Sequence, residues 1–147
     1  MTLQIELLES SFAQVQAQEA EFTTHFYGTL FADYPEVQPL FAHTAMPEQA
    51  KKLFKSLVFL VKSLREPEAL TQGLQGLGSR HVQYGVLPEH YPMVGSALLT
   101  AFAICLAEGW TPAVEQAWRE AYATVTEVML SGTEYPETIL TPCGGRS

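Results

Sequence analysis

The chain has 147 residues, 47% of them apolar and only 16% charged, which excludes a disordered, solvating polypeptide. Its 16 acidic against 8 basic residues give a formal charge of -8, which argues against a nucleic-acid partner and against an anionic membrane surface. At this length one domain is expected, burying roughly 70% of the surface of its unfolded form. Two cysteines, Cys105 and Cys143, are too few for a disulfide framework or a structural zinc site. Cys105 sits in an apolar run and reads as a small core residue. No apolar stretch reads as reaching the ~18 residues of a membrane span. The acidic start MTLQIELLES does not read as a signal peptide. A soluble cytoplasmic protein is therefore expected.

Helical spacing dominates from the first residues. Leu3, Leu7, Leu8, Phe12 and Val15 form a stripe at steps of three and four and predict a helix over 3–17. A second helix is predicted over 18–33, carrying Phe22, Phe26, Tyr27, Leu30 and Phe31. Tyr34-Pro35 closes it, because a residue before proline avoids the helical region. PEVQPLF then reads as a short turn of helix. Pro47 suits the start of a third helix that runs to about Arg65, with Leu53, Leu57, Leu60 and Leu64 on its apolar face. Leu70, Leu74, Leu77 and His81 continue the pattern. Gly73, Gly76 and Gly78 each weaken a helix by about 1 kcal/mol relative to alanine, so a short or irregular helix is expected there. YGVLPEHYP reads as a connector.

Two long helices, over roughly 90–108 and 112–131, complete the pattern, with EGWTP as the turn between them. Thr111 is a candidate N-cap, Pro112 suits the first helical position, and Glu115 lies near the capping-box place. Val114, Ala117, Trp118, Ala121, Tyr122, Val125, Val128 and Met129 mark the inner face of the last helix. The residues thus predict an all-α fold of six or seven helices over 1–131, followed by a tail over 132–147 that extends or frays.

His81 lies on the Leu70, Leu74, Leu77 stripe, so its imidazole points where the leucines point. Two readings stand on the residues alone. One is a core histidine bonded to a backbone carbonyl. The other is a ligand to a metal or to haem iron, which commonly takes one neutral imidazole from an apolar wall. Tyr27 lies in an apolar face, and its hydroxyl has either a backbone partner or a bound ligand to meet. Gln49 and Leu53 share one helix face with Leu57 and Leu60; Gln49 is either at the solvent edge or a second polar group for a ligand.

The segments HFYGTLFADYPEVQPLF, EQAKKLFKSL, LGSRHVQYGVLPEHYPMVG and AWREAYATVTEVM occur in this order. Together they resemble the bacterial single-domain globins, akin to the haem domain of flavohaemoglobins, over about residues 5–131. The resemblance implies a globin fold of about seven helices around a pocket for haem b. It makes His81 the proximal iron ligand, Tyr27 and Gln49 the distal polar pair, and Leu53 the apolar residue over the open iron position. It also implies that Phe41 packs on the haem edge, that Tyr91 lies beside the proximal histidine, and that Leu57, Val86, Val94 and Val125 contact haem. The position of Gln49 depends on the register within TAMPEQAKK; a shift by one residue would replace Leu53 by a lysine.

One departure stands out. The relatives carry a glutamate on the last helix that polarises the proximal histidine, and counting from AWREAY its place falls on Thr133, beside Glu134. This weakens the case for the electron push of a peroxidase-like or dioxygenase site. The implied function is reversible dioxygen binding for storage, delivery or buffering, as a monomer or homodimer. The alternative is nitric oxide dioxygenation or related peroxide detoxification. The 147 residues hold no G-x-G-x-x-G segment, so that reaction is expected to draw electrons from a separate reductase. A sensor with a partner chain and a cofactor-free helical bundle are the remaining alternatives. His43 reads as a solvated loop residue that could also reach a propionate or the iron. His25 and His90 read as surface or edge residues, and Lys52 and Lys55 as exposed helix charges that could meet propionates.

Overall fold

The chain folds into helices wherever the three- and four-residue apolar spacing runs. The computed structural model describes residues 4–83 and 88–131. Among them are α1 (Ile5–Gln16), α2 (Glu19–Asp33), a 3-10 segment (Pro35–Phe41), α3 (Met46–Lys62), α4 (Pro67–Gln83), α5 (His90–Leu106), a second 3-10 segment (Ala107–Gly109) and α6 (Pro112–Ser131). Leu3, the connector residues 84–87 including Val86, and the tail over 132–147 with Thr133, Glu134 and Cys143 lie outside the described residues.

Helix ends follow the local chemistry. Tyr34 leaves the helical region before Pro35, and the chain tightens into the 3-10 segment that carries Phe41. Pro47 occupies the first turn of α3, where a missing N–H costs nothing. The Val114 N–H donates to Thr111 Oγ1 at 3.2 Å, so Thr111 caps α6 as expected. Glu115 does not complete a capping box: its carboxylate accepts from Arg119 at 2.7 Å, one turn further on. Cys105 packs half-buried against the core, and burial pushes its thiol pKa up.

Two expectations need correction. The glycine-bearing segment is not short or irregular; α4 is a 17-residue helix. Close packing outweighs its low propensity. A Cβ on Gly78 would run into the backbone carbonyl of Met129 on α6, and one on Gly73 into the Phe59 ring of α3. These glycines let α4 approach its neighbours more closely than any larger residue allows. The second correction concerns α5, which with its 3-10 extension spans His90–Gly109, long and apolar enough by length and composition to cross a membrane, at mean hydropathy 1.5. Its Ala97, Leu98, Ala101, Phe102 and Leu106 are buried in the core cluster, while about a third of the span is buried in all.

Five helices meet in one aromatic cluster. Phe12 of α1 stacks on Phe54 of α3 at 5.4 Å between ring centroids. Phe22 of α2 packs on Phe102 of α5 at 4.8 Å. Phe102 in turn stacks on Trp118 of α6 at 4.2 Å. Such pairs contribute about 0.5–1.5 kcal/mol each beyond their buried area. The indole N–H of Trp118 needs a partner at this depth and donates to Ser11 Oγ at 2.9 Å. Ser11 donates its own proton to the Leu7 carbonyl at 2.6 Å.

Two predictions follow from this packing. Ser11→Ala strands the buried Trp118 N–H and should lower stability by about 1–3 kcal/mol; an unmoved denaturant midpoint would show that the bond contributes nothing. Gly76→Ala meets only the end of the Arg80 side chain at 3.6 Å and should gain about 0.5–1 kcal/mol of helix propensity. Gly78→Ala should instead lose about 1–3 kcal/mol through overpacking. The same denaturation measurement on both variants reads the opposite signs.

Candidate functional site

Tyr27 sits on the inward face of α2, 9% exposed, within a nest of aromatic rings. Phe26 lies edge-on at 4.7 Å, Phe31 at 6.0 Å, and Phe41 of the 3-10 segment edge-on at 5.8 Å. Phe31 and Phe41 also touch each other, at 5.3 Å. The 3-10 segment thus brings Phe41 back onto α2. Burial raises the Tyr27 pKa above the usual phenol value, and a hydrogen bond from the Gln49 side chain partly offsets the rise. Tyr27 therefore keeps its proton at neutral pH. Gln49 is half-buried in the first turn of α3, and Leu53, one turn later, is half-buried against the core. Tyr27 thus lies beside Phe41 and close to Gln49.

His81 is half-buried in the last turn of α4, with Nδ1 2.8 Å from the Leu77 carbonyl. This contact is the backbone bond of the first reading, and it leaves the second ring nitrogen free to serve the other. The carbonyl can only accept, so Nδ1 carries the proton and Nε2 carries the lone pair that a metal ligand needs. Burial lowers the imidazole pKa; the Leu77 carbonyl opposes this and the Arg80 charge reinforces it. The neutral, ligating form prevails at pH 7. The Tyr91 ring at the start of α5 lies 6.3 Å from the imidazole, tilted by 40°. Tyr122 of α6 donates its hydroxyl proton to the Tyr91 carbonyl at 2.6 Å. Burial pushes the pKa of that hydroxyl well above the usual phenol range.

A third group lines a partly open apolar hollow of about 30 Å³ between α3, α5 and α6, and both Leu57 and Val125 belong to it. Val94 packs half-buried against the core from α5. His25 and His43 are exposed, as are Lys52 and Lys55, and His90 is half-buried at the start of α5. Val86 lies outside the described residues. Sequence reasoning missed two participants. Phe31 stands four residues after Tyr27 and was readable from that spacing. Tyr122 gave only an inner-face signal, because its partner on α5 is distant in sequence.

The residues present fit haem. Among the described residues no group of three or more His, Cys, Asp or Glu could hold a bare metal ion. The Nε2 lone pair of His81, with Nδ1 held by the Leu77 carbonyl, suits haem iron, which commonly takes one neutral imidazole. Haem would be held by His81 through Nε2, with the apolar Phe41, Leu53, Leu57, Val94 and Val125 as its surroundings.

A globin family profile matches residues 24–129. The chain is 33% identical over 131 residues to a flavohemoprotein of Pseudomonas putida, a match that covers 87% of this chain and 33% of the relative. It is 38% identical over 111 residues to a flavohemoprotein of a Burkholderia species, covering 74% of this chain and 28% of the relative. The chain thus spans about a third of the length of these curated relatives. Among solved structures, a bacterial globin from Campylobacter jejuni superposes with a TM-score of 0.76 at 29% identity, covering 88% of this chain and 93% of its own. An engineered carbene transferase from Rhodothermus marinus gives a TM-score of 0.78 at 28% identity, covering 88% and 92%. Its parent is described as a candidate nitric oxide dioxygenase. By the extent of the family match and the identity to these relatives, the chain belongs to the globin family.

Proposed function

We propose that this globin holds haem b through His81 and binds dioxygen reversibly, for storage, delivery or buffering. The observation that carries the reading is the buried Tyr27 hydroxyl beside Gln49, a polar pair inside an otherwise aromatic nest. Haem, held by His81, would when reduced supply an iron that takes a diatomic ligand. The protein's part is to favour one ligand over another at that position.

Tyr27 stays protonated because burial disfavours its anion. Tyr27 would donate its hydroxyl proton to the ligand, and the Gln49 amide beside it has N–H groups to offer. Hydrogen bonds to charged groups contribute about 1.5–3 kcal/mol each, against about 1 for neutral ones. A pair of intermediate strength adds roughly 2–4 kcal/mol. At ~1.4 kcal/mol per decade this is one to three decades of affinity, mostly as slower release. Carbon monoxide, less polar when bound, gains less. Phe31 and Phe41 keep water away from Tyr27, which strengthens its bonds.

A second reading, nitric oxide dioxygenation, draws support from the similarity to flavohemoproteins and to the Rhodothermus protein. It needs a reductase as partner, and steady nitric oxide consumption with NADH and such a reductase would favour it. Both readings go with a cytoplasmic setting and a monomer or homodimer.

The visible spectrum of the purified protein tests the proposal. Reduced without oxygen, it should show one broad band that splits in two when oxygen is admitted. No haem band after added haem would overturn the reading, and so would an unchanged haem content in His81→Ala. Tyr27→Phe should release oxygen about 10–100-fold faster, the effect of one charge-assisted bond. An unchanged release rate measured by stopped flow would remove Tyr27 from the mechanism.

A further inference from the structure

All four lysines of this chain lie on α3, at Lys51, Lys52, Lys55 and Lys62. The segment 46–65 holds five of the eight basic residues and one of the sixteen acidic ones, Glu48. A chain of net charge -8 thus concentrates its positive charge on one helix. Lys51, Lys55 and Lys62 follow at steps of four and seven and share one face, and Lys52 borders it. All four are exposed. None is paired: the ion pairs among the described residues are Arg65–Glu9 and Arg119–Glu115. At a rise of about 1.5 Å per residue the row from Lys51 to Lys62 extends about 16 Å.

An aromatic ring stands in this row. Phe59 lies one turn from Lys55 and one turn from Lys62, and it is 37% exposed. It and Ile104 on α5 are the exposed large apolar residues among the described ones. The ring is braced against Gly73 of α4, where any Cβ would collide with it. A fixed, half-open aromatic flanked by cations has the makeup of an interface centre. Aromatic anchors there supply affinity, and charges supply orientation.

Gln49 and Leu53 project from the opposite side of the same helix, and Gln49 lies close to Tyr27 there. A helix with its side chains is about 10–12 Å across, so whatever docks on the lysines stands about one helix diameter from the candidate site. The charge pattern favours a protein over a bilayer or a nucleic acid. Those are anionic throughout and would also meet Glu48 within the row and Glu66 and Glu68 just beyond its end, all exposed. A folded partner needs carboxylates only opposite the lysines.

We infer that the lysine face of α3, with Phe59 at its centre, docks a one-electron redox protein that presents a carboxylate-rich patch and reduces the haem behind that helix. The electron's destination rests on the haem reading above. One electron leaves the partner's reduced centre and takes ferric iron to ferrous, with no bond made or broken. The acidic remainder of the chain repels the partner's patch elsewhere, so the encounter is oriented towards α3.

An acidic flavodoxin is the probe for the test. Its oxidised form serves for binding, read by calorimetry, and its reduced form as electron donor, read by stopped-flow absorbance of the haem. Binding should weaken and reduction slow as ionic strength rises from about 0.01 M to about 0.1 M, because the reach of a charge shrinks from ~30 Å to ~10 Å. No binding at low salt overturns the inference. Lys62→Glu, one turn from Phe59 and away from Gln49, should weaken binding about tenfold and slow reduction by the same order. Arg119→Glu makes an equal change in net charge on α6 and should leave both within about twofold. Equal effects of the two variants would show net charge alone at work and overturn the docking face. Phe59→Leu keeps an apolar side chain over Gly73 and should weaken binding several-fold at both salt levels; an unchanged constant removes the ring from the surface. Weakened binding with an unchanged reduction rate in Lys62→Glu would overturn the electron route. Tighter binding to phosphatidylglycerol vesicles than to flavodoxin would assign the face to a membrane and overturn the inference. A protein that takes up no haem sinks the function proposed above, while calorimetry still decides the surface.

Discussion

Gly78 lies against the carbonyl of Met129, and the position of His81 depends on that contact. The aromatic cluster gathers α1, α2, α3, α5 and α6 but includes no residue of α4. The helix that carries His81 is tied in by Leu74, buried in the core with Leu70 and Leu77 against it, by backbone against backbone at Gly78 and by Gly73 under the Phe59 ring. The contact at Gly78 has no side chain to rearrange, so it fixes the height and depth of α4 against α6 within narrow limits. His81 follows one turn after Gly78, on the same rigid helix. Leu77, the source of the carbonyl that orients the imidazole, is the residue beside that glycine.

The buried polar groups divide into two kinds. His81 and Tyr122 are each bonded to a main-chain carbonyl, of Leu77 and Tyr91 respectively. Main-chain partners move only if a helix moves, so these side chains are held in one orientation. Tyr27 and Gln49 lie close to one another instead, across α2 and α3, as two side chains. A bond between two side chains can open or turn by rotamer changes alone, at a cost of about 1 kcal/mol. Orientation is therefore fixed on the side that would hold a cofactor and adjustable on the side that would meet a ligand.

The aromatic core does not fill the interior completely. The hollow between α3, α5 and α6 has Phe102 and Trp118, two members of the cluster, in its wall. An unfilled volume of this size costs on the order of 1 kcal/mol. A larger residue at Ala121, which also lines it, would recover part of that.

The sequence by itself determined the helices, most of their ends, and the identity of the polar residues on apolar faces. Spacing at three and four residues is a local property, and so are the Tyr34-Pro35 stop and the Thr111 cap. His81, Tyr27 and Gln49 stood out because a polar group in an apolar stripe must be satisfied by something. Tertiary structure alone decided the rest. Propensity read α4 as broken, and only the approach of α6 explains why its glycines belong in a 17-residue helix. Leu53, Leu57, Leu60 and Leu64 were read as the inner face of α3, yet the aromatic cluster is anchored there by Phe54 at 3% exposure. The bond from Tyr122 to Tyr91 joins residues on different helices, and the hollow that Tyr122 helps line has no counterpart in either helix alone. Contacts of this kind depend on where backbones lie in space to within a fraction of an ångström. A residue pattern along one chain carries no such information until the helices have packed.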